Sequence, residues 1–439
     1  MTARSTEYDV SGTVEEQKSA AGTGGSSTPL EEKSPDFEPA PDGGLRAWLV
    51  ATGAGFIFFT AVGYSSSFGV FQEYYTHNQL SGESPDKIAW IGSLAACLQF
   101  ATGAFAGPAF DRYGPWILRP AMVLYIFAIM MTSLCSKYWQ FTAFQVLAQS
   151  VLLGIATGLM VLPALAAVSQ HFDKRRAAAL GVAVSGSSLG GIVFPVVLSK
   201  LLNGSPLGFG WSVRAVGFIM APLLGFACAA IRARLPPRPA TFFIGAAFRQ
   251  PNFVLLVAAS FFMYAGMWTP LFYLPTYAVG RGMDPALASY MLAVLNAAST
   301  LGRIVPGVLA DKFGRINIFA LGGLATGIVV CCLPKAETVA AVVVYAVCVG
   351  FASGTIISGS SAAFSLCPRN PQEFGTYMGM GMAVSSLAVL MGPPVNGKFV
   401  DVYGGFFEAS LFSGVMCVVG SIIAFSSKMT TTQGLLGRV

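Results

Sequence analysis

The chain has 439 residues, of which 54% are hydrophobic and only 10% are charged, with a formal net charge of +6 and a mean hydropathy of +0.65. Soluble proteins carry about 25% charged residues, so roughly half of the expected charge is missing. A soluble fold would also need polar outer faces on its helices, and stretches such as 340–364 have none. The composition therefore excludes a large soluble protein and predicts an integral membrane protein that lies in the lipid bilayer.

The first 42 residues differ from the rest of the chain. They hold nine acidic residues against Arg4, Lys18 and Lys33, and Ser, Thr, Gly and Pro dominate the remainder. A segment with so little apolar surface cannot offset its ordering entropy, so residues 1–42 are predicted to form a disordered acidic tail. The tail's net charge of −6 leaves +12 on the membrane part. We attribute this excess to orientation in the bilayer and not to a nucleic-acid partner.

Apolar stretches follow one another from residue 46 onward, with short polar breaks between them. A bilayer core of ~30 Å needs about 20 apolar residues per helix, and this length predicts twelve spans. The predicted spans are 46–72, 88–110, 115–136, 139–168, 178–201, 211–231, 252–279, 286–310, 316–334, 338–366, 375–398 and 404–427. The expected domains are the tail over 1–42, a six-helix half over 43–231, a cytoplasmic linker over 232–250, a second six-helix half over 251–428 and a short cytoplasmic tail over 429–439.

The basic residues between the spans set the predicted orientation. With the N-terminus inside, twelve Lys and Arg residues lie in the cytoplasmic connections and seven in the outer ones. This bias favours both termini in the cytoplasm, and the plasma membrane is the expected location. One glycosylation sequon, Asn203-Gly204-Ser205, then lies on the outer side, close to the membrane.

Cysteine and histidine give no sign of a metal or cofactor site. The eight cysteines lie within or at the ends of predicted helices without C-x-x-C spacing, which is typical of small apolar packing residues. His77 and His171 fall in loops on opposite sides of the membrane and cannot share a metal. The predicted helix centres also lack a cluster of His, Asp, Glu or Cys. We therefore expect no metal, no cofactor and no enzymatic activity.

The second half of the chain repeats motifs of the first. Residues 107–114 read G-P-A-F-D-R-Y-G, and residues 307–314 read G-V-L-A-D-K-F-G, at an offset of 200 positions. Gly181-Val-Ala-Val-Ser185 recurs as Gly381-Met-Ala-Val-Ser385 at the same offset. Two parallel halves of six helices are what alternating access requires, because each half can rock against the other around a central site.

The repeated G-x-x-x-D-R/K-x-G motif resembles the signature loop of the major facilitator superfamily. The resemblance implies an all-α membrane protein with twelve transmembrane helices in two pseudo-symmetric six-helix halves. It also implies that the aspartate and the basic residue tie neighbouring helix ends together and stabilise one conformation; a solvated turn is the alternative. Physically, a helix end offers N–H groups to an aspartate, and glycine permits close helix approach. The predicted conformational latch comprises Gly107, Asp111, Arg112, Gly114, Gly307, Asp311, Lys312 and Gly314.

Two further stretches resemble the monocarboxylate porters, and their fungal branch most of all. Asp42-Gly43-Gly44-Leu45-Arg46-Ala47-Trp48 is similar to the D-G-G-x-x-W stretch before helix 1 of that family, with one extra residue before the tryptophan. Residues 172–186 are similar to its F-x-K-R-R-x-x-A-x-G-x-A-x-x-G motif at the start of helix 5. The fungal branch resembles riboflavin and organic-acid carriers and pumps encoded beside secondary-metabolite pathways.

One arginine lies deep in the eighth predicted span. Arg303 precedes Asp311 by eight residues, which places it ~12 Å from the helix end. Asn296, Ser299 and Thr300 share its helix face through i, i+3, i+4, i+7 spacing. Ionised groups in the bilayer cost about 2.5–3.5 kcal/mol on insertion scales, so this stripe is predicted to bind substrate. A structural arginine bonded to backbone carbonyls is the alternative. By its place in R-x-x-x-G-x-x-A-D, Arg303 also matches the substrate-binding arginine of the porters.

Two positions depart from the porter pattern. Ser299 stands where the porters have an aspartate one turn before that arginine, and Ser66 stands where they have a lysine midway along helix 1. Both missing groups serve proton and carboxylate coupling in the porters. Their absence argues against simple lactate-type proton symport and favours a larger, less charged substrate.

Further candidates for the substrate site lie on the first, fourth and seventh spans, which line the cavity in the superfamily. Aromatic rings there would suit a planar or apolar substrate, and for each residue ordinary packing is the alternative. These candidates are Tyr64, Ser66, Gln145, Gln149, Tyr264 and Trp268. Pro270 and Pro275 are predicted to break the seventh helix, where a gate could bend.

The sequence thus predicts a secondary active transporter for an organic acid or an acidic secondary metabolite. Arg303 has no acidic residue on its own stripe, so an anionic group of the cargo is the expected partner. Export is favoured, and protons are a candidate coupling ion. Uptake of a monocarboxylate or a vitamin-like nutrient is the first alternative, and a membrane sensor that does not transport is the second.

Overall fold

A computed structural model describes residues 40–77, 85–134, 141–203, 205–236 and 243–430. These residues are helical with short connections, and no strand occurs among them. An α-helix satisfies its backbone polar groups within itself, which a bilayer without water requires. Most of the predicted tail over 1–42 and parts of the linker and of the C-terminal tail lie outside the described residues.

We number the membrane helices α1 to α12 in chain order. The first six are α1 (Gly44–Phe71), α2 (Pro85–Ala101 and Gly103–Tyr113), α3 (Leu118–Thr132), α4 (Phe141–Leu152 and Leu153–His171), α5 (Arg176–Asn203) and α6 (Gly208–Ala230). The second six are α7 (Pro251–Met267 and Thr269–Gly280), α8 (Pro285–Phe313), α9 (Arg315–Cys331), α10 (Val339–Phe364), α11 (Phe374–Tyr403) and α12 (Phe407–Ser427). Each helix lies within a few residues of a predicted span.

Ten helical runs in the described ranges are long and apolar enough to cross a membrane. One of them, Ile91–Thr132, has 42 residues, and Gly114 divides it into α2 and α3 with a backbone φ of 65°. The helix Arg315–Cys331 is apolar but shorter. The structure therefore has the predicted all-α membrane fold and is consistent with twelve helices.

Two long helix contacts join the first six helices to the second six: α5 packs along α8, and α2 packs along α11. Glycine permits both contacts. A Cβ on Gly181 of α5 would overlap the carbonyl oxygen of Arg303, and a Cβ on Gly379 of α11 would overlap that of Gly103. Membrane helices associate through such close backbone packing because the lipid supplies no hydrophobic drive between them.

Several membrane helices depart from regular α geometry. α1 contains a π-helical turn over Phe58–Val62, and the first part of α4 is π-helical. α7 is interrupted at Trp268, two residues before Pro270, because proline removes a backbone donor and crowds the preceding turn. The helix then continues through Pro275. The predicted break at Pro275 was therefore wrong.

We expect Gly379→Ala to lower the melting temperature of the detergent-purified protein, because the new methyl group must push α11 away from α2. Overpacking of this kind costs about 1–3 kcal/mol. Gly225→Ala is the matched control: Gly225 lies in α6 with open space at its Cβ position, so alanine should leave the melting temperature unchanged or raise it. Size-exclusion chromatography after stepwise heating measures both. Equal shifts for the two variants would contradict the backbone contact.

Candidate substrate site and helix-end contacts

Arg303 lies in the contact between α8 and α5, and only 6% of its surface is exposed. Its Nη1 donates to the carbonyl oxygen of Val184 at 2.9 Å and to the Oγ of Ser187. Both acceptors belong to α5, so the guanidinium bridges the first and second six helices. Arg303 forms no ion pair with any described residue.

The Nε–Nη2 edge of the Arg303 guanidinium forms no hydrogen bond to the described residues. The buried Nε has no hydrogen-bond partner among the described residues. Both hydrogen bonds of the guanidinium are donated by Nη1. The Nε–Nη2 edge can bind a carboxylate through two parallel hydrogen bonds. A buried donor without a partner costs about 1–3 kcal/mol. Arg303 thus binds a backbone carbonyl, as expected of a structural arginine, and also has donors without partners among the described residues, as expected of a substrate-binding arginine.

The other polar residues of the α8 stripe face different neighbours. Asn296 lies against Gly191 of α5, and Thr300 donates to the Asn296 carbonyl oxygen at 3.1 Å. Ser299 instead lies against Gly354 of α10. Arg303 and Asn296 therefore share the α5 side of the helix, whereas Ser299 lies at the edge of the stripe.

The two aromatic candidates of α7 lie between the halves and at the helix break. Tyr264 is buried, with its hydroxyl 3.3 Å from Ser360 Oγ of α10. Its ring packs edge-on against Phe100 of α2, with ring centroids 5.6 Å apart, and this contact also joins the two halves. Trp268 stands at the interruption of α7, and its buried Nε1 has no partner in the described ranges.

The candidates on α1 and α4 have varied surroundings. Tyr64 is buried and packs edge-on against Phe194 of α5, which makes it part of the packing within the first half. Ser66 is exposed and donates to a carbonyl oxygen of its own helix at 3.3 Å. Gln149 is buried in α4. The side chain of Gln145 lies outside the described part of the chain.

Asp111 and Asp311 each bind the start of a helix in the opposite half. Asp311 accepts from the backbone N–H groups of Ala177 and Ala178 of α5 at 3.0 and 2.8 Å. Asp111 accepts from the N–H and the hydroxyl of Thr376 of α11 at 2.8 and 2.6 Å. A helix N-terminus carries unpaired N–H groups and partial positive charge, so both contacts are favourable. We call this end of the helix bundle the aspartate end.

The spacing of the repeated motif follows from these contacts. A Cβ on Gly107 would overlap the Gly375 carbonyl oxygen and separate α2 from α11. Gly314 has a φ of 100°, which glycine adopts without strain. The basic residues of the motif, Arg112 and Lys312, are exposed. Arg315, which the sequence analysis missed, lies with its Nε 3.6 Å from Asp311 Oδ1. Its i, i+4 spacing from Asp311 was the available signal.

The structure adds little on the predicted glycosylation site and on metal binding. Asn203 ends α5, and Gly204 of its sequon lies outside the described residues, so glycosylation stays a prediction. Among the described residues, no group of His, Cys, Asp and Glu could hold a metal ion.

Comparison with known proteins gives the family. A model of the Major Facilitator Superfamily matches residues 47–365 and 282–434. The chain belongs to the major facilitator superfamily. It is 47% identical over 402 residues to a protein named as an aspyridones efflux protein of Emericella nidulans. The alignment covers 92% of this chain and 82% of that relative. It is 38% identical over 416 residues to an agnestins efflux protein of Paecilomyces divaricatus, which covers 94% and 93%.

Solved structures of the superfamily share the fold. A human organic anion transporter aligns with a TM-score of 0.65 at 15% identity, over 86% of this chain and 98% of its own. A superfamily transporter, FucP, in the outward conformation aligns with the same TM-score at 16% identity, over 87% and 98%. At these identities the likeness concerns the fold alone.

Asp111→Asn and Asp311→Asn should each slow transport about threefold to tenfold while leaving cargo binding nearly unchanged. An amide keeps one acceptor but loses the charge that favours the helix N-terminus, an effect of about 0.3–2 kcal/mol. Flux in vesicles is compared with equilibrium binding in detergent. Asp401→Asn is the control, because Asp401 is an exposed carboxylate at the other end of α11. Equal losses of flux and binding would refute a role in conformational balance.

Proposed function

We propose that the chain is a secondary active transporter that exports an acidic secondary metabolite from a fungal cell. The relatives support export: two are named as efflux proteins for aspyridones and agnestins. A third, from Gibberella fujikuroi, is named as a fujikurins efflux protein and is 36% identical over 407 residues. Membership of the superfamily supports alternating access as the mechanism.

The acidic character of the proposed cargo rests on one observation, the buried Arg303 without an ion pair. A desolvated cation is costly unless an opposite charge pairs with it. No described residue forms that pair, so an anionic group of the cargo is proposed to do so at the Nε–Nη2 edge. The buried Tyr264 ring, and the indole N–H of Trp268 that has no partner among the described residues, support a cargo that is partly aromatic and carries hydrogen-bond acceptors.

In the proposed cycle, cargo that binds the Nε–Nη2 edge draws the Arg303 guanidinium away from its partners on α5. In this structure it bonds Val184 and Ser187 of α5, and in the loaded state it would bond the cargo. Each hydrogen bond of a charged donor contributes about 1.5–3 kcal/mol, which is of the same size as typical coupling energies of about 1–3 kcal/mol. Cargo that draws Arg303 away from α5 would therefore also weaken a contact between the halves, which links binding to conformational change.

Location, orientation and coupling complete the proposal. The excess of Lys and Arg in alternate connections supports cytoplasmic termini, with the aspartate end also in the cytoplasm, in a plasma-membrane protein. The stretches 42–48 and 172–186 support a place in the fungal branch of the monocarboxylate porters. Because Ser299 and Ser66 replace the porters' ionisable groups, a coupled proton would use either the acid group of the cargo, in place of its ion pair with Arg303, or a group near a helix end.

Arg303→Ala should abolish export while the protein still folds and reaches the membrane. In the fungus that carries the gene, we expect the amount of one acidic metabolite in the medium to fall at least tenfold, as measured by mass spectrometry of medium and mycelium. Arg303→Lys should rescue poorly, because a compact ammonium cannot form the two parallel bonds of a guanidinium. Arg281→Ala, at an exposed arginine in the connection after α7, is the control. Wild-type secretion by Arg303→Ala would disprove the site.

Anion pairing should also make the transporter distinguish an acid from its ester. The test is flux into proteoliposomes with an imposed pH gradient, using an aromatic carboxylate and its methyl ester, with passive leak into protein-free liposomes subtracted. We expect at least a tenfold preference for the acid, because the ester cannot supply the charge that pairs with Arg303. Equal carriage of ester and acid would show that pairing at Arg303 does not select the cargo.

A further inference from the structure

Asp42, just before α1, binds the turn that leads into α5. Its Oδ1 accepts from the backbone N–H of Asp173 at 2.6 Å and from that of Arg175 at 3.4 Å. Its own N–H donates to the carbonyl oxygen of His171 at 3.2 Å. This contact joins two of the stretches on which the family resemblance rested, although 131 residues separate Asp42 from Asp173.

Further contacts hold this pairing in place. Asp42 has a φ of 53°, the one positive φ among the described non-glycine residues. Such a backbone conformation is strained for a residue with a Cβ and persists only where surrounding contacts enforce it. Six residues later, Trp48 packs edge-on against the fully buried Phe172, with ring centroids 5.2 Å apart. The segment before α1 is thus fixed to the turn by a carboxylate and by an aromatic pair.

The opposite half binds the same turn from its other side. Arg315 donates through Nη2 to the carbonyl oxygen of Asp173 at 2.7 Å. One turn further along, Asp311 takes the N–H groups of Ala177 and Ala178. Asp42 therefore binds the same short segment as the second half. Both bind Asp173, and the other contacts of Asp42 and of Asp311 lie within the next five residues.

The equivalent turn before α11 is held differently. There Asn370 accepts through its own side chain from the N–H of Gln372 at 3.0 Å, which is a local cap two residues away. Asp111 then binds Thr376, as Asp311 binds α5. In both contacts of the aspartate end, an aspartate of one half binds the start of a helix in the other half. The contacts differ in which residues order the turn before that helix. The turn before α11 is capped from within, whereas the turn before α5 combines local bonds from Arg176 to Phe172 and Asp173 with the bonds that Asp42 accepts from outside it.

We infer that Asp42 is a positioning residue for the Asp311 contact, through which the segment before α1 sets how readily the aspartate end opens. Asp42 and α5 belong to the same half, so their bonds do not have to break on opening. Their effect is to order the turn in advance. Without Asp42, the turn must be ordered each time Asp311 and Arg315 bind it, and fixing one residue's backbone costs about 1–2 kcal/mol.

This inference rests on the proposed transport cycle only in that the aspartate end must open and close. The experiment measures that opening directly and without cargo. A wrong assignment of cargo or of Arg303 would therefore leave its outcome unchanged, and the two failures are distinguishable.

The test uses pulsed electron spin resonance on the full chain in nanodiscs. Spin labels are attached at Tyr113→Cys and Phe313→Cys, in a background whose eight native cysteines are replaced. Tyr113 and Phe313 are 53% and 56% exposed and occupy matching positions at the aspartate ends of α2 and α8. The distance distribution gives the ratio of open to closed molecules.

Asp42→Ala should raise this ratio about fivefold to thirtyfold, the range that corresponds to ordering one residue's backbone. Asp42→Gly should match it, because glycine accepts the positive φ but lacks the carboxylate. Asp42→Asn, the matched control, keeps an acceptor and tolerates the backbone conformation, so its ratio should stay within about threefold of wild type. Should Asp42→Ala not be recovered as folded protein, Asp42→Gly takes its place.

Double variants decide whether Asp42 acts through Asp311. Adding Asp42→Ala to Asp311→Asn should change the ratio less than twofold beyond Asp311→Asn alone, because the contact that the turn serves is already weakened. Adding it to Asp111→Asn should multiply the two single effects. A merely structural role would give the same behaviour in both backgrounds. An unchanged ratio in Asp42→Ala, or equal additivity with both aspartate variants, would overturn the inference.

Discussion

The close contact between α5 and α8 determines where both the candidate site and one half of the aspartate end lie. Gly181 lets α5 approach the backbone of α8 at Arg303. From Arg303 to Asp311 is eight residues along α8, and from Ser187 back to Ala178 is nine along α5, which is ~12–14 Å in each helix. Because both helices are rigid, the guanidinium and the carboxylate meet their partners together. Site and helix-end contact are two parts of one interface, and any movement of α8 along α5 disturbs both.

The contact between α2 and α11 corresponds to the α5–α8 contact in the internal repeat, and the two differ at the position of Arg303. The internal repeat pairs position 303 with position 103, which is a glycine. There Gly103 and Gly379 bring two backbones together without any side chain between them. At this level the α2–α11 contact is backbone packing, whereas the α5–α8 contact also carries a buried cation. The internal repeat relates the two halves, and Arg303 departs from it by bringing a buried cation to one of the two contacts.

The sequence was sufficient for the fold and for part of the site. A bilayer requires long apolar helices, so hydropathy alone predicts the membrane spans. It does not predict the break in α7, which lies at Trp268, while the helix continues through Pro275. The depth of Arg303 follows from counting residues back from Asp311. Its partners do not, because the Val184 carbonyl carries no side-chain signature. Helical spacing also placed Ser299 with Arg303, yet its offset of about 40° around the helix from Arg303 is enough for it to meet α10 instead.

At the aspartate end, the second half binds α5 through backbone N–H groups of Ala177 and Ala178. Every residue except proline supplies such a group, whatever its side chain. After gene duplication, the half-buried position 178 could therefore change its side chain without losing the N–H group that Asp311 binds, whereas the buried Ala177 has room only for a small one. Residues nearer Arg303 could change in parallel to suit another product. A lineage that keeps this interface can change its cargo while the backbone contact with Asp311 is retained.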